Sequence, residues 1–286
     1  IDGNEYGTVQ IGEQLWMKQN LKVTHYNDES EIPTGLDGSA WSSTSQGAYA
    51  VYNDNPSNTD IYGNLYNWYA AIDERGICPD GWYLPSDNDF KELELFLGMS
   101  QSEISEEGWR GDNQGSQLAG KSNLWNQGVL VDDNLFDQSG FNAVPSGKKN
   151  SIDGIYYDLG DYSFLWTDDV SSNRRAIGFE EKGIGRFMTI DAESGHSIRC
   201  LSTPGCTDES ACNYNQYAFE DDGSCEYPLD ANFNCDGTCG GLNEAVEDCL
   251  GVCGGSAVEP TVELDADSLH YNIIISEGTS ETQTVT

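Results

Sequence analysis

Positive charge is what this chain of 286 residues most lacks: 13 Lys and Arg stand against 49 Asp and Glu, a net charge of −36. Phosphate backbones and anionic bilayers are gripped by clustered Lys and Arg, so neither nucleic acid nor an acidic membrane surface is an expected partner. Long apolar runs are missing as well. The best stretch, Ile273-Ile274-Ile275, falls far short of the roughly 20 residues a spanning helix needs, and no direct membrane insertion is expected. His25, His196 and His270 stand apart from one another and outside any visible Ser/His/Asp or Cys/His grouping, which assigns them to surface or core polarity. No Gly-rich phosphate cradle appears. What is present suffices for a packed core in part of the chain, with 37% hydrophobic and 11% aromatic residues arguing against wholesale disorder.

Cysteine and charge divide the chain at the same place. Cys78 and Cys200 are alone in the first two hundred residues, while seven more crowd between Cys206 and Cys253. Such a density is expected of a secreted chain in an oxidising compartment. Zinc is disfavoured, because the segment has no His and no Lys or Arg to offset thiolate charge. From Gly205 to Thr286 there are seventeen Asp or Glu and no Lys or Arg, leaving 32 acids and all 13 bases before it. The chain therefore reads as three parts: a globular domain over 1–204, a cysteine-rich acidic stalk over 205–256, and a β-strand segment over 257–286.

In the first part, Tyr6 to Gly12 and Leu15-Trp16-Met17 read as a hairpin turning at Glu13-Gln14. Two helices are expected. One is short, Leu65 to about Ile72, stopped by Gly76. The other is capped by Ser86, carries Asp87 and Asp89 at its positive end, lays Phe90, Leu93, Phe96 and Leu97 on one face and ends at Gly98. Aromatic-bearing strand pieces follow at Trp109, Leu124-Trp125, Phe141–Val144, Ile155–Tyr157, Phe164–Thr167, Arg186–Ile190 and Ser197–Cys200. Loop-rich antiparallel strands with two helices make an α+β domain. A Cys78–Cys200 bond would close a loop of over a hundred residues, worth about 4–5 kcal/mol in the chain-entropy account.

Tyr6-Gly7-Thr8-Val9, Gln14-Leu15-Trp16-Met17, Tyr62-Gly63-Asn64-Leu65-Tyr66-Asn67-Trp68, Cys78-Pro79-Asp80-Gly81-Trp82-Tyr83-Leu84-Pro85-Ser86, Phe141-Asn142-Ala143-Val144-Pro145-Ser146-Gly147 and Ser197-Ile198-Arg199-Cys200 follow one another in a recognisable order. Together they resemble the Fibrobacter succinogenes major paralogous domain across nearly all of residues 1–203. The resemblance implies a C-type-lectin-like fold, in the branch shared with formylglycine-generating enzymes, a structural Cys78–Cys200 disulfide, and a place on bacterial surfaces or in secreted chains. It does not imply a biochemical role. Calcium-dependent sugar binding of the lectin kind needs Glu-Pro-Asn or Gln-Pro-Asp and a later Trp-Asn-Asp, and neither is present; Trp125-Asn126-Gln127 and Trp166-Thr167-Asp168-Asp169 are partial echoes. Oxidase chemistry needs a reactive cysteine pair, and the only two cysteines of residues 1–204 are those of the structural bond, so no enzyme activity is expected. Sugar could still be held on exposed aromatics. Arg110-Gly111-Asp112 is the tripeptide of integrin ligands, a match short enough to arise often by chance.

The second part, from Gly205-Cys206-Thr207-Asp208 through Ala211-Cys212-Asn213-Tyr214-Asn215 to Ser224-Cys225-Glu226-Tyr227, resembles a short cysteine-rich repeat of secreted marine Bacteroidetes proteins. That resemblance implies Cys206–Cys225 and, for its three-cysteine form, Cys212–Cys235. Cys239, Cys249 and Cys253 leave one over, for an intermolecular bridge or a free thiol. A Cys-x3-Cys-Gly-Gly unit recurs at Cys235 and Cys249, too small to bury a core without staples. Calcium is the expected cofactor. Asn232, Asn234, Asp236, Gly237 and the Thr238 carbonyl follow the 1, 3, 5, 6, 7 spacing of an oxygen-ligand loop, though Asn243 stands where position 12 wants Glu, and an Asn/Asp turn cluster is the alternative. Asp208, Asn213 and Asp222 are a second oxygen set.

The third part, with Thr261–Leu264, Leu269–Ile275, a Glu277-Gly278 turn and Thr282–Thr286, resembles the opening of an immunoglobulin-like sandwich, for which thirty residues are too few. Its strands are expected to pair and to dock on a further sheet, in this chain or in a second copy. The functional expectation is a non-enzymatic extracellular protein for adhesion or surface assembly, its partner a surface glycan or protein, with self-association through the C-terminal strands. The alternative is a carbohydrate-binding module of a larger secreted enzyme, holding polysaccharide on exposed Trp or Tyr.

Overall fold

Val9 and Ile11 alternate with polar neighbours and Gly12 turns the chain in the left-handed region, so residues 8–17 form the expected hairpin of β1 (Thr8–Ile11) and β2 (Gln14–Met17). The structure is a computed structural model describing residues 2–169, 173–215, 218, 221, 223–228 and the backbone of 270–275 and 279–284. The chain divides into two compact units, Ile1–Thr203 and Pro204–Thr286. Helices and sheets mix in the first unit, an α+β arrangement.

After the hairpin come α1 (Gly38–Ser43), β3 (Tyr49–Ala50), α2 (Thr59–Tyr62), β4 (Leu65–Tyr66) and α3 (Trp68–Ala71). The helix expected over Leu65–Ile72 is thus a strand followed by a shorter helix. Asn67 makes the switch, its side-chain oxygen accepting from the amides of both Ala48 and Ala70. Next are β5 (Trp82–Tyr83) and α4 (Asp87–Phe96), capped as expected: Ser86 and Asp89 form a reciprocal capping box. Then β6 (Gly108–Arg110), α5 (Gln114–Leu118), β7 (Ser146–Lys149), β8 (Tyr156–Leu159), β9 (Tyr162–Thr167), β10 (Asn173–Gly178), β11 (Ile184–Phe187) and β12 (Leu201–Ser202) complete the unit.

Two larger sheets and the two-stranded β3–β4 pair organise these elements. One has the order β1-β2-β12-β5, so the last strand of the unit inserts between the first hairpin and β5. The other runs β6-β11-β10-β9-β7-β8, antiparallel except for the β7–β9 contact. Trp16, Phe90, Leu93, Phe141, Leu165, Ile177 and Ile184 share one buried cluster; Met17, Leu21, Tyr66, Trp166, Ile198 and the Cys78–Cys200 bond belong to a second. Leu124-Trp125 and Phe141–Val144 are not strands. The first follows a 3-10 turn, Ser122–Leu124, and the second makes only an isolated bridge at Ala143.

A charge network lies inside the unit. Glu94, fully buried on α4, accepts from Arg110 Nη2 at 2.5 Å and from Arg175 Nε at 2.7 Å. Asp87, two helical turns earlier, accepts from Arg186 Nε at 2.7 Å and Nη2 at 2.8 Å and pairs with Lys91 at 2.7 Å and with Arg175 at 2.8 Å. These bonds tie α4 to β6, β10 and β11. Arg110 is therefore consumed inside, and the Arg-Gly-Asp tripeptide has no arginine to present. Burial opposes the charge on Asp87, but hydrogen bonds from Arg186 and Lys91 and the charge of Arg175 outweigh it and hold the carboxyl well below its ordinary range.

In the second unit, Cys206 is bonded to Cys225, and β13 (His270–Ile275) pairs antiparallel with β14 (Thr279–Thr284) as expected, registered Ile273 with Glu281. The second strand begins earlier than its Thr282 start in the sequence reading.

Candidate functional site

The helix α4 creates the site by failing to bury its last aromatic. Phe90, Leu93 and Leu97 recur at helical spacing, and Glu94 completes their stripe, leaving Phe96 about 100° away from its centre. Phe96 was expected to face the core; it is 64% exposed, the most exposed aromatic among the described residues. Gly98, at φ +92°, ends the helix beside it. Gly12 supports the ring from below, since a Cβ on this left-handed residue would stand 2.9 Å from ring carbon Cδ2.

Around Phe96 lies a groove of about 460 Å³ lined by Gln10, Ile11, Leu97, Gly98, Gln117, Gln138 and Ser139. None of these side chains is ionisable. Gln117 is fixed from α5, its Nε2 donating to the Leu97 carbonyl at 3.0 Å and to Asn113 Oδ1 at 2.8 Å, which leaves its oxygen as the half of the amide free of these bonds. Ser139 donates to the Gln117 carbonyl at 2.7 Å, holding the Gln138 turn against α5. The side chain of Gln10 donates to the nearby Gly12 carbonyl. An apolar ring edged by planar amides and a hydroxyl can stack on a neutral ring and exchange hydrogen bonds with its hydroxyl groups.

The aromatic platform expected of Trp or Tyr differs from this. Trp16, Trp41, Trp68, Trp125 and Trp166 are buried, and Trp82 and Trp109 half-buried. Phe96 escaped the sequence reading because a Phe at helical spacing behind a good cap reads as core; the acid at 94, facing the same way as Phe90, was the available signal.

The residues singled out by sequence distribute as follows. Cys78–Cys200 and Cys206–Cys225 are bonded, and Cys212 is disulfide-bonded too, while Cys235 lies outside the described residues. Asp208 accepts from the Ser210 amide and hydroxyl and from Tyr227; Asn213 bridges to the Ser224 carbonyl and the Glu226 amide. Both are thus engaged in holding the small unit together. Asp222, Asn232, Asn234, Asp236 and Thr238 lie outside the described residues. Among the described residues no three His, Cys, Asp or Glu side chains gather as a metal site, and no helix is long and apolar enough to cross a membrane.

The model of one protein family, the Fibrobacter succinogenes major domain, matches residues 9–202. No curated protein and no solved structure matches the chain.

Proposed function

We propose, for a chain that belongs to the Fibrobacter succinogenes major domain family, a non-enzymatic role in extracellular adhesion or surface assembly, with a lectin-like head that holds a neutral glycan in the Phe96 groove. The observation that carries this reading is the exposed ring set among uncharged amides, in a chain otherwise dense with carboxylates. A groove without charge is where such a chain meets an uncharged partner with least desolvation cost. The bond between Cys78 and Cys200 supports the non-enzymatic reading, since it occupies the only two thiols of the head.

Phe96→Ala is expected to weaken binding on a neutral-glycan array by about tenfold, the equivalent of about 1.4 kcal/mol. Its melting curve should move little, as befits an exposed side chain. Unchanged array binding by this variant, or no binding by the parent chain, would remove the groove from the reading.

The cysteine-rich segment over 205–256 acts in this reading as a stalk stiffened by calcium at Asn232, Asn234, Asp236 and Thr238 and at Asp208, Asn213 and Asp222. Support comes from charge: an acid-only segment repels itself until a cation neutralises it. Chelation is expected to increase proteolysis within 206–256, and equal cleavage with and without chelator would refute the calcium role. Self-association through 257–286 completes the proposal. Loss of oligomers on deleting that segment is the expected result by light scattering.

A further inference from the structure

Bases are rare in this chain, and most are spoken for. Lys22, Arg75, Lys91, Arg110, Lys148, Arg175, Lys182 and Arg186 each lie within ion-pairing distance of a carboxylate. Among the described residues, Lys18, Lys121, Lys149, Arg174 and Arg199 have no such partner, and three of these five line a single cavity of about 210 Å³. With 49 acids in the chain, three unpaired bases in the lining of one hollow call for an explanation.

Arg199 is the most telling. Its side chain is fully buried, yet its partners are all neutral oxygens: Asn20 Oδ1 at 2.6 and 3.2 Å, the Met17 carbonyl at 3.2 Å and the Phe141 carbonyl at 2.5 Å. Burial without a counter-anion pushes its pKa down to about 9, which still leaves it charged at neutral pH. Lys121 holds a left-handed φ of +54°, uncommon for a residue with a side chain, and Asn142, also in the lining, has φ +62°. Two acids share the lining. Asp60 is paired with Lys22 at 2.8 Å, so the lining holds three bases, Lys18, Lys121 and Arg199, against one unpaired acid, Glu5.

We propose that this cavity is an oxyanion site, taking a sulfate, phosphate or carboxylate group between Lys18 and Lys121, with Arg199 supplying a fixed positive charge from the wall. Lysine ammonium groups are movable donors suited to close on such a group, and the buried guanidinium needs no rearrangement to attract it. The site is separate in its lining residues from the Phe96 groove and does not depend on it.

Titration calorimetry of the full chain with sodium sulfate, against sodium chloride at matched ionic strength, is the test. Saturable one-to-one binding is expected for sulfate, weakened tenfold or more by either Lys18→Glu or Lys121→Glu, with melting temperatures confirming that both variants fold. Phe96→Ala should bind sulfate as the parent does. Sodium glucuronate and glucose separate the sources: glucuronate binding more tightly than sulfate, with glucose inert, points to a sugar-borne anion, whereas sulfate alone points to a free ion. Heats equal to those in chloride, or binding unaffected by both charge reversals, overturn the proposal.

Discussion

Glu94→Ala is expected to cost the first unit about 3–5 kcal/mol, because it leaves Arg110 buried without a carboxylate and Arg175 with Asp87 alone. The loss comes from stranded charge more than from the bonds themselves. Denaturant titration should show a lower midpoint at unchanged slope. The triple replacement of Glu94, Arg110 and Arg175 by apolar residues of similar volume should recover much of the loss, and a single variant as stable as the parent would show that the arginines reach water. Acid should act through the same network. Asp87 is depressed in the folded state, so its contribution is full above the unfolded carboxyl pKa of about 3.9 and is lost as pH falls below that value. Stability near pH 2 should therefore drop more in the parent than in Asp87→Asn.

Removing the Cys78–Cys200 bond by Ala at both positions is expected to cost about 4–5 kcal/mol, since the cysteines are 122 residues apart. Both are buried, so the pair adds a small packing loss. The measurement is again the denaturant midpoint, with non-reducing mass mapping of the parent finding neither thiol free. A shift under about 1 kcal/mol would mean that the long loop is already closed by the pairing of β12 with β5.

The first hairpin, the cap and stop of α4, the Cys78–Cys200 bond and the C-terminal hairpin were all legible, because each rests on local chemistry or on motifs of fixed order. β10 was not. Its Asn-Arg-Arg-Ala-Ile-Gly reads as a loop, and only the distant Glu94 and Asp87 make Arg175 a core residue. β7, Ser-Gly-Lys-Lys, was hidden in the same way: Lys149 is buried against the rings of Trp41 and Tyr156. The groove was illegible for the complementary reason. A buried acid took the helix face that Phe96 seemed made for, and Gln10, Gln117 and Gln138 carry no spacing that marks them as neighbours. Arg199 was quoted as part of a motif, but its lack of a carboxylate is a property of three dimensions.

The position of β12 also decides how the first unit would carry a pull. Tension arriving through Thr203 reaches the two residues of β12, flanked by β2 and β5, and then Cys200. There the covalent link diverts it to Cys78, so the chain between the two cysteines, roughly 400 Å if drawn straight, cannot be reeled out. Phe96, Gln117 and Gln138 all belong to that closed span. A ligand seated on them would hang from the exit strand by both ends of the loop at once, its load running from Phe96 back to Cys78 and across the bond as well as forward to Cys200, and sparing the residues that precede Cys78.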